Sequence, residues 1–511
     1  MSVAITQSIT LQGVGGEITS IEIDIGDGLP GFVILGLPDT SILESRERVR
    51  SALVNSGESW PNRKITVSLS PAWLPKSGPH FDLAIAVAIL DALGEIPTRE
   101  YRNEILLGEL GLDGSIKAVR GVLPSLIVAQ KKGIKNAIIP QANKIEGDQV
   151  SKIFPQSFSN FSDLLKYFRT GEIPIYEASE VINTSQVEIT EKLLDLSEVA
   201  GQIAARQSIE IAAVGGHHCL LFGPPGTGKT MLAERIPTFL PPLSENEALE
   251  VAAIHSIAGR FSEKILKEKT PPFIAPHHST TIPALIGGGR WAQPGAISLA
   301  HKGVIFIDEA PEANRALLES LREPLESKTV TISRYTGTIT YPADFLLVLA
   351  ANPCPCGKYS GRGLNCQCSS GAIRKYLNKI SAPLLDRIDI RIYIDRPTRL
   401  EMSSNNLGES SEQVRSRIIA ARELSRKRLV PYGLEKNSQL PIKLLRTEFQ
   451  AEKTGMALLY DEMESERITA LGFHKILRIA WSISDLNLHS RPTKEDVMDA
   501  ISLRSGSERF A

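Results

Sequence analysis

The stretch Gly223-Pro224-Pro225-Gly226-Thr227-Gly228-Lys229-Thr230 limits what this chain can fold into more than any other. It satisfies G-x-x-x-x-G-K-[ST]; the apolar run Cys219 to Phe222 before it reads as a strand, and MLAERIPTFL after it reads as a helix. The glycines let successive backbone N–H groups turn inward and cradle phosphates where the helix begins. Lys229 then supplies a point charge to the β- and γ-phosphates of ATP, and the Thr230 hydroxyl a ligand for Mg²⁺. A chance glycine-rich turn needs neither the strand nor the helix, so the stretch predicts a nucleotide site.

Such a site needs a second acidic strand, and VIFIDEA (Val304 to Ala310) fits. Asp308 is expected to hold Mg²⁺ through water, and Glu309 to orient and deprotonate the attacking water. Taken alone this is an ordinary strand ending in a solvated acidic turn. The phosphate loop about 80 residues upstream reverses the odds, because the two strands can lie in one sheet. A third strand, Phe345 to Ala350, ends in Ala351-Asn352-Pro353. Asn352 can hydrogen-bond the lytic water or the γ-phosphate, or be a turn residue before Pro. In SAPLLDRID, Arg387 lies between two acids near a helix end. It is either a local ion pair or an arginine finger for a neighbouring subunit's nucleotide.

Around these motifs the chain divides into parts. Residues 1–175 alternate short strands and helices: Ile18 to Ile25, Phe32 to Leu35 and Ile65 to Leu69 are predicted strands. Ser41 to Asn55 has helical spacing, and Phe81 to Leu93, apolar nearly all round, predicts a helix buried on several sides. Ile105 to Leu107, Leu123 to Lys132 and Ala137 to Pro140 continue as strand, helix and strand. Residues 176–190 lack either period and form a linker. Residues 191–396 alternate apolar strands with helices, the pattern of a parallel sheet wrapped by helices. Residues 397–511 turn helical and charged, with helices at Gln413 to Leu429, Ile442 to Phe449 and Ile468 to Leu486, and a last one capped by Thr493.

Lys plus Arg is 57 against 58 for Asp plus Glu, which argues against a histone-like coat of positive charge on nucleic acid. Aromatic content of 6% argues against a base-stacking platform. The N-terminus lacks a basic segment followed by an apolar one, and Leu83 to Leu90 is too short to span a bilayer, so neither a signal peptide nor a membrane span is expected. Four of the five cysteines crowd between Cys354 and Cys368 instead of spreading as disulfide staples do, so a reducing, cytoplasmic setting is expected.

At these residues the chain resembles an AAA+ ATPase, and more narrowly the magnesium-chelatase-like YifB/ComM family. GPPGTGKTML, APHHSTTIPALIGGG, PGAISLAHKGVIFIDE, ANPCPCG and LLDRIDI carry the likeness, which runs the whole length. The resemblance implies an α/β fold: an AAA+ nucleotide-binding core, a C-terminal helical lid and an N-terminal Lon-protease-like α+β domain. It makes Asn352 the sensor-1 residue and Arg387 the finger acting in trans. It places a helix-2 insert at Ala275 to Gly289 and a hairpin at Ser327 to Pro342, elements that point into the pore and grip DNA in related rings. It implies a homo-oligomer, a hexamer, acting in branch migration of DNA during recombination and natural transformation, with recombination proteins among its partners. A chelatase-type motor that remodels a protein partner is the alternative, and a nucleotide-dependent switch a third.

Thr329 to Ser333 and Thr338 to Tyr341 are β-rich around a Tyr335-Thr336-Gly337 tip, so a hairpin is also expected from the residues themselves. Arg334 near its tip could meet a phosphate, Lys328 lies nearer the base, and a solvated hairpin is the other possibility. For His277 and His278 a loop role is preferred over metal binding. The position where the family carries a sensor-2 Arg holds Leu471, so either Arg478 substitutes or the contact is absent. LPKSGPHFDLAIAVAIL and GELGLDGSIKAVRGVLPSLIVAQKKGIK match the Lon stretches that carry its nucleophile and lysine. His80 and Leu123 occupy those places, so peptide hydrolysis is not expected. Cys354, Cys356, Cys366 and Cys368 could close a tetrahedral Zn²⁺ site. The Cys-x-Cys spacing is tighter than the usual knuckle, and free thiols or transient disulfide chemistry stay open.

Overall fold

Unbroken apolar strands such as Cys219–Phe222 cannot face water, and in the computed structural model each is covered on both sides. Residues 3–97, 103–176, 194–289, 292–334, 337–359, 366–396 and 408–505 are described. Most of the expected linker, the Tyr335-Thr336 tip and the boundary at 396/397 adjoin or lie outside them.

The N-terminal region holds strands β1 (Val3–Gln12), β2 (Gly15–Gly26), β3 (Gly31–Leu35) and β4 (Lys64–Ser70), helix α1 (Asp82–Leu93), strand β5 (Glu104–Leu106), helix α2 (Val122–Lys131), and strands β6 (Asn136–Pro140) and β7 (Phe154–Phe158). Its seven-stranded sheet, numbered in these labels, runs β3-β4-β2-β1-β5-β6-β7. The β1/β2 and β2/β4 pairs are antiparallel and the others parallel. All of α1 except Leu93 is buried, as its uniformly apolar sequence requires. The buried Asp82 is paired by Arg48, whose Nε donates to Oδ2 at 2.6 Å. His80 Nε2 lies 2.9 Å from the Ile9 carbonyl, while the Leu123 N–H donates to Glu146 Oε1 at 2.8 Å. Neither compared position offers a nucleophile or an amine.

The middle region brings helix α3 (Ile203–Gly215), β8 (Cys219–Phe222), α4 (Lys229–Glu234), α5 (Glu245–Ile257), β9 (Phe273–Ile274), β10 (Val304–Ile307), the hairpin β11 (Thr329–Arg334) and β12 (Gly337–Pro342), β13 (Leu346–Ala351), α6 (Ser370–Leu377) and β14 (Ile390–Tyr393). The sheet order is β9-β10-β13-β8-β14, every pair parallel. Register pairs Phe222 with Ala351 and Ile307 with Leu349, so the loops after β8, β10 and β13 leave from one edge. That edge carries the site. α5 starts in a capping box of Ser244 and Glu247 and packs against α2. Ser256 of α5 bonds Glu146, joining the N-terminal region to the core.

The C-terminal region contains α7 (Ser411–Leu429), the short helix α8 (Ile442–Thr447), α9 (Lys453–Glu464), α10 (Ala470–Leu486) and α11 (Lys494–Ser505). Thr493 caps the last one, accepting from Asp496 N at 3.3 Å. The docking surface was not expected from the sequence. Arg417 grips Glu210 of α3 at 2.8 and 2.9 Å, and Lys475 Nζ donates to Asp389 Oδ1 at 2.7 Å. His217 bridges Asp389 (3.1 Å) and Ser482 (2.8 Å). Asp389 and His217 precede β14 and β8, so these contacts lie at the edge opposite the phosphate loop. Burial opposes charge on Asp389, yet Lys475 and His217 hold its carboxyl well below the usual range. Arg478 Nε donates to the Leu440 carbonyl at 2.9 Å, at that same far side. Among the described residues no helix is long and apolar enough to cross a membrane.

Candidate functional site

The phosphate loop leaves β8 at Gly223 and enters α4 at Lys229. Gly226 (φ 75°) and Gly228 (φ 84°) are left-handed, a backbone that glycine adopts without steric cost and that turns N–H groups into the loop's cup. Thr227 Oγ1 donates to the Pro224 carbonyl at 2.9 Å and holds the loop's shape. The Lys229 side chain is buried, its Nζ donating to the carbonyls of Gly223 (2.7 Å) and Pro224 (2.9 Å) and to Asn352 Oδ1 (3.1 Å). Burial lowers its pKa, while Asp308 and Glu309 act to raise it.

Thr230 Oγ1 donates to Asp308 Oδ2 at 3.0 Å. The hydroxyl and the carboxylate thus stand side by side, as two groups that would hold Mg²⁺ together, the carboxylate through water. The other Asp308 oxygen accepts from Glu309 N at 2.8 Å. Glu309 itself has φ 48°, a conformation non-glycine residues rarely take, and its carboxylate is half exposed. It has no bond to the loop among the described residues; its ion-pair neighbour is His278 Nδ1 at 3.8 Å. The structure thus brings together Lys229, Thr230, Asp308, Glu309 and Asn352 from three adjacent strand ends.

Arg387 is elsewhere. It pairs with Glu326 and donates from Nη1 to the Pro383 carbonyl at 2.6 Å. With Glu326, Asp386, Lys475 and Arg478 it lines an open cavity of about 680 Å³ between the core's far edge and the helical region, and Leu471 faces the same cavity. Lys328 is engaged at the hairpin's base: its Nζ lies 3.1 Å from Asp344, which Lys302 also reaches at 3.2 Å. Burial works against the Asp344 charge, but Lys436, Lys328 and Lys302 hold that carboxyl far below its usual range. Arg334 ends β11 exposed. A Cβ on Gly288 would lie 2.7 Å from its Nη2, so that glycine leaves room for the guanidinium where insert and hairpin meet. The β12 backbone is covered in part by the β1–β2 turn: a Cβ on Gly13 would lie 2.6 Å from the Thr340 carbonyl. His277 Nδ1 lies 2.7 Å from Ser279 Oγ in a hydrogen bond, and its ring lies tilted by 35° against that of His278, centroids 4.0 Å apart.

The four clustered cysteines converge, all their sulfur atoms lying within 4.8 Å of one another. They form a site able to hold a metal ion.

Three parts of the chain match known families by sequence. Residues 195–402 match magnesium chelatase, subunit ChlI; residues 21–143 match subunit ChlI of Mg-chelatase; and residues 408–504 match the ChlI C-terminal family. Competence protein ComM of Haemophilus influenzae is 36% identical over 99% of this chain and 98% of its own length. The uncharacterized YifB of Escherichia coli is 38% identical, covering 99% and 97%. An uncharacterized protein of Mycobacterium tuberculosis is 42% identical, covering 98% of both. The chain belongs to the ComM/YifB magnesium-chelatase-like family. This AAA+-like family accounts for the five-stranded parallel core and the placement of the phosphate loop.

Two residues of the site were not singled out from sequence. Tyr376 is buried, its hydroxyl lying against the Asn352 backbone N–H and within electrostatic reach of Glu309 and Glu312. Gly357 packs on the phosphate loop itself: a Cβ there would lie 2.9 Å from Pro225 Cγ and Cδ. Only the position of Gly357 inside ANPCPCG, five residues past Asn352, hinted at the second.

Proposed function

We propose that this chain is an ATP-hydrolysing motor that works as a ring on DNA. The observation that carries hydrolysis is the convergence of Lys229, Thr230, Asp308 and Asn352, with Glu309 free of the loop and beside it. In this mechanism Lys229 leaves its carbonyl acceptors for the β/γ-phosphates. Thr230 and Asp308 would hold Mg²⁺, which would supply positive charge against the phosphates. Glu309 takes the proton of the attacking water, and Asn352 orients that water or the γ-phosphate.

A ring supplies what the single chain lacks. Arg387 stands at the far edge beside an open cavity, away from its own phosphate loop, which supports the reading that it serves the nucleotide of an adjacent subunit docked there, its pair with Glu326 being the local alternative. A hexamer is the assembly that the AAA+ likeness favours. DNA as the track is supported by 36% identity, over nearly the full length, to a protein named for competence. The hairpin carrying Arg334 and the adjoining insert are the elements proposed to grip it, with His277 and His278 on the same insert. Lys328, held by Asp344, is the weakest of these contacts. A chelatase-type motor is the second reading, favoured by the family descriptions that match residues 21–143 and 195–402. The N-terminal region therefore does not separate the two readings. ATPase assays with no DNA, single strands, duplex and a four-way junction do. Stimulation by any DNA supports the motor; no stimulation, with activation by a chelatase partner protein, supports the alternative.

A further inference from the structure

The described residues on either side of positions 360–365 bring four cysteines together, one side starting at Asn352 and the other leading back to the nucleotide site through α6. Cys354 Sγ lies 3.4 Å from that of Cys356 and 3.6 Å from that of Cys366, and Cys356 and Cys366 are 3.7 Å apart. Four thiolates around Zn²⁺ at ~2.3 Å stand about 3.8 Å from one another. A disulfide requires ~2.05 Å, and none of these pairs is near it. Neutral thiols are weak hydrogen-bond partners and supply little reason for four of them to meet at one point. Cys354 is buried, Cys356 is exposed, and Cys366 and Cys368 lie between, so an ion held there is covered on the core side and can be loaded from solvent.

The cluster's position matters as much as its geometry. Upstream, Asn352 is two residues away and accepts from Lys229. Within it, Gly357 (φ 71°) lies directly on Pro225 of the phosphate loop. Downstream, α6 begins two residues after Cys368, with Ser369 as its cap, and brings Tyr376 back against the Asn352 backbone. Lys379 then reaches Glu312, just past the Asp308-Glu309 pair, at 3.4 Å. Both arms of the cysteine loop therefore end on the nucleotide site.

We propose that Cys354, Cys356, Cys366 and Cys368 bind one Zn²⁺ as thiolates, and that this ion positions Asn352 toward Lys229 and Gly357 against the phosphate loop. Binding forms four Zn–S bonds, the four thiol protons passing to solvent, with no oxidant or reductant involved. Closing the loop with metal removes the conformational freedom that would otherwise let Asn352 and Gly357 drift. The ion acts through these residues and touches no substrate. The positioning half rests on the ATPase reading; the metal half does not.

The test uses the full chain purified under thiol reductant without chelators. Metal analysis should give about one zinc per chain, and Co²⁺ in its place should show the intense visible bands of tetrahedral thiolate coordination. Cys356→Ser combined with Cys366→Ser should abolish both signals, while Cys219→Ser keeps them. Gly357→Val should retain zinc yet lower kcat for ATP at least tenfold, because its side chain displaces Pro225 while the ligands stay intact. Zinc stoichiometry near zero, or a cobalt spectrum without thiolate bands, overturns the site. Zinc-free protein or Gly357→Val with unchanged kcat and ATP affinity overturns the positioning role. If zinc binds and the wild-type chain hydrolyses no ATP under any condition, the ATPase reading fails, the positioning role falls with it, and the metal site stands.

Discussion

Lys229 and Glu309 lie in one site but are wired to it differently, and that difference sets the effect of removing each. Lys229 Nζ is buried and makes three hydrogen bonds, all to the loop or to Asn352. When ATP binds, the ammonium exchanges these acceptors for phosphate oxygens. A unit charge at ~3.5 Å in an effective dielectric of ~20 contributes about 5 kcal/mol. Giving up three hydrogen bonds of ~1 kcal/mol each offsets roughly 3 of that. Lys229→Ala should therefore cost about 2 kcal/mol or more of ATP binding, roughly 30-fold in Kd. Among the described residues Glu309 makes no bond to the loop and has His278 as its ion-pair neighbour at 3.8 Å, and it is half exposed. Glu309→Gln preserves its shape and its left-handed backbone, so Kd for ATP should stay within roughly threefold, under ~0.7 kcal/mol. Hydrolysis should fall by ~10²–10⁴, the contribution of a positioned general base. Nucleotide titration calorimetry and phosphate release measure the two quantities separately. Equal losses of affinity in both variants, or near-normal hydrolysis in Glu309→Gln, would refute the division of labour.

Arg387→Ala should keep ATP binding and lose hydrolysis by ~10³–10⁵. Mixing it with Glu309→Gln should restore partial activity, since some interfaces then pair an intact Glu309 with a neighbour's intact Arg387; mixed rings that stay dead exclude a finger in trans. Asp389→Asn strands the buried Lys475 and should destabilise the docking of the helical region by ~3–5 kcal/mol, read as a lowered first melting transition. Because the Asp389 carboxyl is depressed in the folded state, its stabilisation is fully present above the unfolded value of ~3.9 and is lost as pH falls below it. Wild type should therefore lose stability more steeply than Asp389→Asn in that acid window, and parallel curves would contradict the assignment. The N-terminal region should cleave no unfolded protein with or without ATP, given His80 and Leu123 at the compared positions; ATP-dependent peptide release by the purified chain is the opposing result.

Much of the fold was legible because its signals are local. The uniformly apolar Phe81 to Leu93 could only be a helix enclosed on several sides, and α1 is one, preceded by a single turn at Pro79–Phe81. Thr493 declared the last helix through its hydroxyl alone. β1 and β7 were not singled out, nor was Lys453–Glu464, whose helix carries a glycine at 455 and whose packing against its neighbours decides its form. Ser41 to Asn55 reads as one helix but is two, broken at Glu44, which caps the first and opens the second.

By itself the sequence supplied the chemical groups: a phosphate loop, an acidic strand end, a polar strand end and four clustered thiols, each a short local pattern. Tertiary structure alone decided how they are wired. Parallel register placed Asp308 against Thr230 and Asn352 against Lys229, contacts spanning 78 and 123 positions. Packing put Gly357 on Pro225, left Arg387 on the far edge, and docked the helical region through Asp389 instead of over its own phosphate loop. The physical reason is that covalent spacing limits only near neighbours. Distances between remote segments are chosen by which apolar faces bury together and which buried charges find partners, and those choices exist only once the whole chain has packed.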